Sequence, residues 1–385
     1  MQVSLDNFGV LQIEPTDHCN LSCTMCTPHH LRQEQIHGVP KGVMDLGLYR
    51  HIVDGLVADD ARFDHIIFQW LGDPSLHPGL EDMIAVAQDR LGDRVNYLRV
   101  DTNAILLTPS RMKRLVDIYR RRPEVPLLMV FTVDAVTPET YRRVKGQDAL
   151  ARVRRHVRRF LVERARLDLA PEDVKLNVQL QFVLQDGNHN EVGAFVRYWS
   201  EFLRCQGGGR GYSEIMVKRL SVAAGGEGQL AADRLYERAC REQAIEERAL
   251  PHVHVKVWRE RAWESTAIEG DATPAPRQPC PGLWMTPVIR HDGRLMMCCA
   301  DLPGELDLGS LAERGFRELW EGEEAVRRRL AHVRGAFNEV GPCEECGGIN
   351  WYRTPPDVVR AWLEGVGRSD LWGEYQARLR PEERR

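Results

Sequence analysis

Over the first 220 residues, short apolar runs alternate with stretches whose apolar residues recur every three or four positions. The runs GVLQIE (9–14), HIIFQW (65–70), VNYLRVDTN (95–103), LLMVFTVD (127–134), KLNVQLQFVL (175–184) and EIMVKRL (214–220) have the length of strands. Between them, Leu46, Tyr49, Ile52, Val53 and Leu56 share one face of a helix, and EDMIAVAQDR, PSRMKRLVDIYR and NEVGAFVRYWSEFL read the same way. Thr137-Pro138-Glu139 is a helix start, with Pro at the first helical position. Strands alternating with helices imply a parallel sheet with right-handed crossovers. Six units make either an open doubly wound sheet or most of a (β/α) barrel. In both, the functional loops follow the C-terminal ends of strands. The cysteine loop that begins at Cys19, Gly72-Asp73-Pro74, Asn103 and Asp134 all fall at such ends.

The pattern then changes. Residues 221–279 are Gly-rich, then helical, then Pro-rich, and read as a linker containing a helix. Thr286 to Arg290 and Arg294 to Cys298 form a hairpin pattern around His291-Asp292-Gly293, where Asp-Gly is a strong turn signal. DLGSLAERGFRELWEGEEAVRRRL reads as a helix leading to CEEC at Cys343 to Cys346. Residues 351–385 read as peripheral helices with a charged tail. The expected division is therefore 1–220, 221–279, 280–350 and 351–385.

Composition narrows the classes of function. The chain has 385 residues, 43% hydrophobic and 28% charged, which is ordinary for a globular protein. A net charge of −4 favours neither nucleic acid nor an anionic membrane as partner. The start, MQVSLDNFGVLQ, lacks the pattern of a signal peptide, and VPLLMVFTV (125–133) is too short to span a bilayer. A cytoplasmic location is the expectation. The Arg-rich stretch 149–166 keeps its apolar residues at helical spacing, so its arginines read as a solvated face. GGGRG (207–211) follows a helix and lacks the GxGxxG form, so it reads as a loop.

Candidate chemistry enters with the cysteines. Of ten, Cys19, Cys23 and Cys26 fall in one loop, and Cys280, Cys298, Cys299, Cys343 and Cys346 lie in the last third. Cys205 and Cys240 stand apart and read most simply as incidental thiols. A cube of four irons normally takes four thiolates, so three in one loop leave an iron open. Zinc is the alternative, but structural zinc wants four closed ligands, and CxxxCxxC without a fourth fits poorly, although His18, His29 and His30 are near. In the last third, Cys280, Cys298, Cys343 and Cys346 make one four-thiolate set, for which a zinc ribbon-like site is the plain alternative; Cys299 could replace Cys298.

Cys19-x3-Cys23-x2-Cys26 after a first strand resembles the radical S-adenosylmethionine (SAM) superfamily. That resemblance implies a partial (β/α)6 TIM-type barrel, and it extends to other positions. Gly72-Asp73-Pro74 is similar to the family's "GEP" motif, which receives the methionine amino group, with Asp in place of Glu. Asp134 resembles the fourth-strand residue that approaches the SAM ribose. Lys145-Gly146 stands where many relatives have Arg-Gly, and Lys145 is the candidate partner of the SAM carboxylate. Met25 occupies the position whose backbone meets adenine, and Asn103 joins these as a candidate at the cofactor. The C-terminal stretch, with Gly293-x4-Cys298, LGSL…LW and CxxC, resembles the twitch domain, the shortened form of the SPASM domain, as a β-hairpin plus helix. No cysteine follows Cys346, so one auxiliary [4Fe–4S] cluster is expected.

The resemblance implies a [4Fe–4S] cluster that cleaves SAM to a 5′-deoxyadenosyl radical, which abstracts hydrogen from substrate. It also implies a one-electron reductant such as flavodoxin or ferredoxin. The twitch arrangement is similar to that of enzymes that dehydrogenate aminocyclitols or sugars in antibiotic biosynthesis, so oxidation of a secondary alcohol in a small molecule is the leading expectation. A redox-neutral epimerase is the alternative, with Cys205, Cys240 or Cys299 as hydrogen donor; modification of a ribosomal peptide is another. Gln69, Trp70, Arg99 and Gln181 are candidates for the cavity wall.

Overall fold

The structure, a computed structural model, describes residues 8–26, 40–205, 211–221, 226–258, 278–344, 346, 354 and 356–379. His29, His30, most of GGGRG, the Pro-rich end of the linker and the last charged residues lie outside the described residues.

Six strands follow the expected order: β1 Val10–Ile13, β2 Phe63–Phe68, β3 Val95–Thr102, β4 Leu127–Thr132, β5 Leu176–Leu184 and β6 Ser213–Arg219. They pair in sequence order, all parallel. The returns are α1 Leu46–Ala58, α2 Leu80–Leu91, α3 Pro109–Arg121, α4 Pro138–Lys145, α5 Leu150–Ala165 and α6 Val192–Cys205. Local chemistry sets their ends. Asp45 caps α1 by accepting from the Gly47 and Leu48 N–H groups, and Thr137 caps α4 before Pro138. Gly146 ends α4 in the left-handed conformation, φ +74°.

Strand alternation sorts the two faces of the sheet. Leu98, Val100, Leu127, Met129, Phe131, Leu180, Phe182, Ile215 and Val217 pack in the helix-side core. Gln12, Arg99, Asp101, Gln181, Met216 and Lys218 have the opposite parity and face the interior of the barrel.

Two findings go beyond the sequence reading. The stretch read as a linker contributes α7 Gly226–Glu242 and two further strands, β7 Arg248–Leu250 and β8 Val253–Val257. β8 adds to β6 in parallel and β7 closes that edge antiparallel. HVHVKV is only five or six residues long and lies next to a Pro, so its pattern was outweighed by the surrounding breakers. The C-terminal hairpin, β9 Val288–Ile289 and β10 Arg294–Met296, turns at Gly293 (φ +82°). It continues the same sheet: β9 runs parallel to β1 through Gln12 N–H to Pro287 C=O (2.9 Å) and Glu14 N–H to Ile289 C=O (2.8 Å).

DLGS is a strand rather than the start of a helix. β11, Asp307–Ser310, pairs with β10, and the helices α8 Gly282–Met285, α9 Phe316–Trp320, α10 Glu323–Arg334, α11 Pro356–Gly365 and α12 Trp372–Arg378 complete the region. The result is a mixed α/β sheet of eleven strands, a partial barrel with the C-terminal unit built onto its β1 edge. Among the described residues, no helix is long and apolar enough to cross a membrane.

Candidate active site

The cysteine loop leaves β1 at the C-terminal edge of the barrel and is tied to two neighbouring strand ends and to the end of α4. Toward β3, the Asn103 amide N–H donates to Asn20 Oδ1 (2.7 Å). Toward α4, Thr24 N–H donates to Val144 C=O (3.0 Å). Toward β5, the Thr24 hydroxyl donates to Gln185 Oε1 (2.9 Å), and Gln185 Nε2 reaches Met25 Sδ at 3.6 Å. Asn20, Thr24 and Gln185 were not singled out from sequence. A lone polar residue in a loop carries no pattern, and its partners lie up to 161 positions away.

Gly72-Asp73-Pro74 lies against this loop. A Cβ on Gly72 would stand 2.3 Å from Thr16 C=O and 2.5 Å from His18 C=O, so only glycine permits the approach. Asp73 N–H donates to His18 C=O (2.9 Å). The Asp73 carboxylate is buried and consumed internally: it accepts from Ser75 N–H (2.9 Å), Thr102 Oγ1 (3.0 Å) and Asn103 N–H (2.7 Å). Pro74 starts a buried turn, Pro74–Leu76. The motif holds backbone in place and leaves its carboxylate no free lone-pair direction for a ligand.

Asp134 and Lys145, assigned by the resemblance to different ends of SAM, form a buried ion pair with each other. Asp134 sits at φ +59°, a left-handed conformation that costs a non-glycine residue and concentrates at functional sites. Its Oδ1 accepts from Val183 N–H (2.6 Å), and its carbonyl accepts from Asn188 Nδ2 (2.9 Å). Burial alone would lower the Lys145 pKa, but Asp134 and the neighbouring Cys23 carry it above the ordinary lysine value. Gly146 is fixed by close approach as well: a Cβ there would fall 2.3 Å from Ser22 Oγ.

The three thiols are half-buried. Burial pushes Cys19 up to about 12, helped by Asp73, Cys23 and Cys26; burial pushes Cys23 up to about 11 against the pull of Lys145. Cys19 thus feels both other members of the trio, and Cys23 feels Cys26. Among the described residues, no three His, Cys, Asp or Glu side chains converge on one metal ion. Thiols that sit on separate corners of a cube do not need to converge in that way. A donor set of three half-buried thiols in one loop fits a cluster with one open iron.

In the C-terminal region Cys298 and Cys343 are buried and Cys280 and Cys346 half-buried. Backbone N–H groups point at two of the sulfurs: Gly282 at Cys280 Sγ and Ala300 at Cys298 Sγ, both 3.4 Å. Cys280 N–H donates to His332 Nδ1 (3.3 Å). The hydrogen bond with Cys299 and then burial push the Cys298 thiol well above its ordinary value. Trp70, a cavity-wall candidate, instead joins the two regions: it packs with Leu71, Val288 and Met296, and its indole N–H donates to Cys299 C=O (2.8 Å). Glu14, fully buried, makes a second junction by accepting from Leu71 N–H (3.2 Å) and from His291 Nδ1 (3.1 Å).

The two stray thiols lie elsewhere. Cys205 ends α6, at the edge from which β6 starts and so across the barrel from the cysteine loop; it is exposed and donates to Glu201 (3.3 Å). Cys240 is buried in the helix-side core on α7.

Residues 13–162 match the radical SAM superfamily model, and residues 280–347 match the SPASM iron–sulfur cluster-binding domain. A curated relative, the tungsten-containing aldehyde ferredoxin oxidoreductase cofactor-modifying protein of Pyrococcus furiosus, is 32% identical over 111 residues, 28% of this chain and 27% of that one. The chain spans half or less of the length of the curated relatives it matches. Among solved structures, anSMEcpe with bound AdoMet superposes with a TM-score of 0.53 at 16% identity, covering 96% of this chain and 98% of the other. SuiB of Streptococcus suis bound to S-adenosylmethionine gives 0.52 at 13% identity, covering 82% and 65%. At these identities the likeness is one of fold. Residues 13–162 thus carry a radical SAM region and residues 280–347 a SPASM region, for which a SAM-binding [4Fe–4S] cluster and auxiliary iron–sulfur ligation are the cofactors.

Proposed function

We propose that this chain is a radical SAM dehydrogenase that oxidises a secondary alcohol of a small sugar- or aminocyclitol-like molecule. Cys19, Cys23 and Cys26 would hold the SAM-binding cluster, and Cys280, Cys298, Cys343 and Cys346 one auxiliary cluster. SAM on its cluster supplies the hydrogen-abstracting group, once a flavodoxin- or ferredoxin-type reductant has delivered one electron. The abstracted hydrogen would end in 5′-deoxyadenosine and the hydroxyl proton in solvent, and an auxiliary cluster held by Cys280, Cys298, Cys343 and Cys346 would supply an acceptor for the electron left on carbon. The residues around the site orient and shield. Lys145 fixes Asp134, Gly72 and Asp73 hold the cysteine loop, and the interior-facing Arg99 and Gln181 offer hydrogen bonds to a polyol.

The observation that carries this reading is the auxiliary set itself. Four thiols, two of them buried, leave no iron for substrate, and a closed cluster serves to take or give an electron. The epimerase alternative needs a thiol facing the substrate. Cys205 is across the barrel and Cys240 lies in the core on the helix side of the sheet, which disfavours both.

The test uses candidate alcohols deuterated at the reacting carbon, in ordinary water. One deuterated 5′-deoxyadenosine per ketone is expected, with Cys205→Ala and Cys240→Ala still active. A product at unchanged oxidation level with solvent hydrogen at an inverted carbon overturns the reading.

A further inference from the structure

The charges on the interior face of the barrel nearly cancel. At the N-terminal edge, Lys256 pairs with Glu214 (3.1 Å), which also accepts from Tyr212 Oη (2.6 Å). His65, stacked on Tyr97 at 4.4 Å, is driven by burial down to about 4 and is neutral near pH 7. Midway up, Arg99 holds Asp101 through two parallel bonds of 2.6 Å. At the mouth, Lys145 neutralises Asp134. Among the described residues of this face, one cation is left without an ionic partner. Lys218, near the end of β6, forms no ion pair among the described residues; its Nζ lies 5.6 Å from the centre of the Trp258 ring.

Lys218 lies on the interior face of the barrel, near the C-terminal end of β6. It is in register with Val183, whose N–H is held by Asp134 Oδ1, so it stands at the height of the Asp134–Lys145 pair beside the cysteine loop. The charges that act on it are Arg99, which opposes its charge, and Asp101 and Asp134, which favour it. Polar capacity on the interior face is also unspent. The buried Oε1 atoms of Gln12 and Gln181, both of interior parity, have no hydrogen-bond partner among the described residues. Buried polar atoms left unmatched in a protein cost free energy unless something fills the space.

We infer that Lys218 is the anchor for an anionic group, a carboxylate or phosphate, on the substrate, and that Gln12 and Gln181 read the hydroxyl or amide groups beside it. This rests on the dehydrogenase reading and narrows it. Among alcohols it selects sugar acids and sugar phosphates over cationic aminocyclitols, whose ammonium would meet the unbalanced lysine. The Arg99–Asp101 pair is not the anchor, because Asp101 already neutralises the Arg99 charge and leaves it only neutral-type hydrogen bonds to offer.

SAM carries a carboxylate of its own, so the test separates the two sources. Reconstituted, SAM-loaded protein is titrated with glucuronate, inorganic phosphate and uncharged glucose by isothermal titration calorimetry, without reductant and so without turnover. Wild type should bind both anions and prefer glucuronate to glucose. Lys218→Met should weaken the anions by about tenfold to a hundredfold, the range of a charge-assisted bond. Lys218→Arg should restore most of the binding, and SAM affinity should be the same in all three proteins. A parallel fall in SAM affinity would assign Lys218 to the cofactor and overturn the inference. So would equal binding of glucose and glucuronate by wild type, a result that does not depend on either variant folding. Because no product is formed, failure here is distinct from failure to make a ketone.

Discussion

The two cysteine regions are built in different ways. The N-terminal loop leaves its three sulfurs half-exposed and spends its hydrogen bonds on side chains and carbonyls of β3, α4 and β5. The C-terminal region buries Cys298 and Cys343; backbone N–H groups reach sulfur in both regions, from Leu21 to Cys19 and from Gly282 and Ala300 to Cys280 and Cys298. The first arrangement fixes a loop while leaving its sulfurs approachable, as a site that must admit a small cofactor requires. The second shields and tunes, since burial adds to N–H···S bonds in setting the reduction potential of a cluster.

The broadest test of this contrast removes each set in turn. Anaerobically reconstituted protein should hold roughly eight irons, four per cube. Replacing Cys19, Cys23 and Cys26 by Ala should remove about half and abolish SAM cleavage. Replacing Cys280, Cys298, Cys343 and Cys346 should remove the other half yet leave SAM cleavage measurable while ketone formation stops. Stoichiometric zinc in the C-terminal site would break the comparison.

A smaller effect should follow from Lys145→Met. It leaves the buried Asp134 carboxylate uncompensated, which costs about 3–5 kcal/mol in comparable buried pairs. Thermal unfolding should register that loss, and SAM affinity should fall with the cluster spectrum intact. If the two residues contact SAM independently, Asp134→Asn with Lys145→Met should be additive; coupling through the pair predicts a clear departure from additivity.

Gly72→Ala sharpens the same side of the contrast. The added methyl has backbone carbonyls at 2.3 and 2.5 Å and cannot be accommodated by a side-chain shift. A cost of about 1–3 kcal/mol is expected from overpacking, with weaker SAM binding in equilibrium dialysis. Unchanged binding would show that the loop is less tightly placed than its contacts imply.

The smallest effect concerns the junction between the regions. Burial alone would lower the His291 pKa, but the Glu14 hydrogen bond and charge raise it above its ordinary value. A raised folded value means that the contribution is fully present below the unfolded pKa of about 6.5. It fades as pH rises through the folded value. The difference in thermal midpoint between wild type and Glu14→Gln should therefore shrink as pH increases above that range. A constant difference would mean that the bond, and not the charge, holds the junction.

How much of this was legible in the sequence follows from where the information lies. The six parallel strands, their helices and the C-terminal hairpin are written in local periodicity and in Asp-Gly, so they were read correctly. The cysteine spacing and GDP are local too. The strands β7 and β8, and β11 within DLGS, are short and depend on a neighbour to become strands, which periodicity does not encode. The pairings of Asp134 with Lys145, Thr24 with Gln185, Glu14 with His291 and Trp70 with Cys299 join positions 11 to 277 residues apart. Each residue was ordinary by itself. Asp134 and Lys145 were noticed through family likeness, but as separate ligands, because only the folded chain brings one against the other.

The junction of β9 with β1 has a consequence for the life of the nascent chain. β1 is made first, and β2 can cover one of its edges early, but the strand that covers the other begins at Val288. At bacterial-like synthesis speeds, the interval is on the order of tens of seconds. Throughout it, one edge of the founding strand offers unpaired N–H and C=O groups, the kind of template that recruits other chains. A ribosome stalled or a message truncated before the hairpin would release a barrel with that edge bare. Aggregation of such fragments should then be relieved by supplying the C-terminal region in trans.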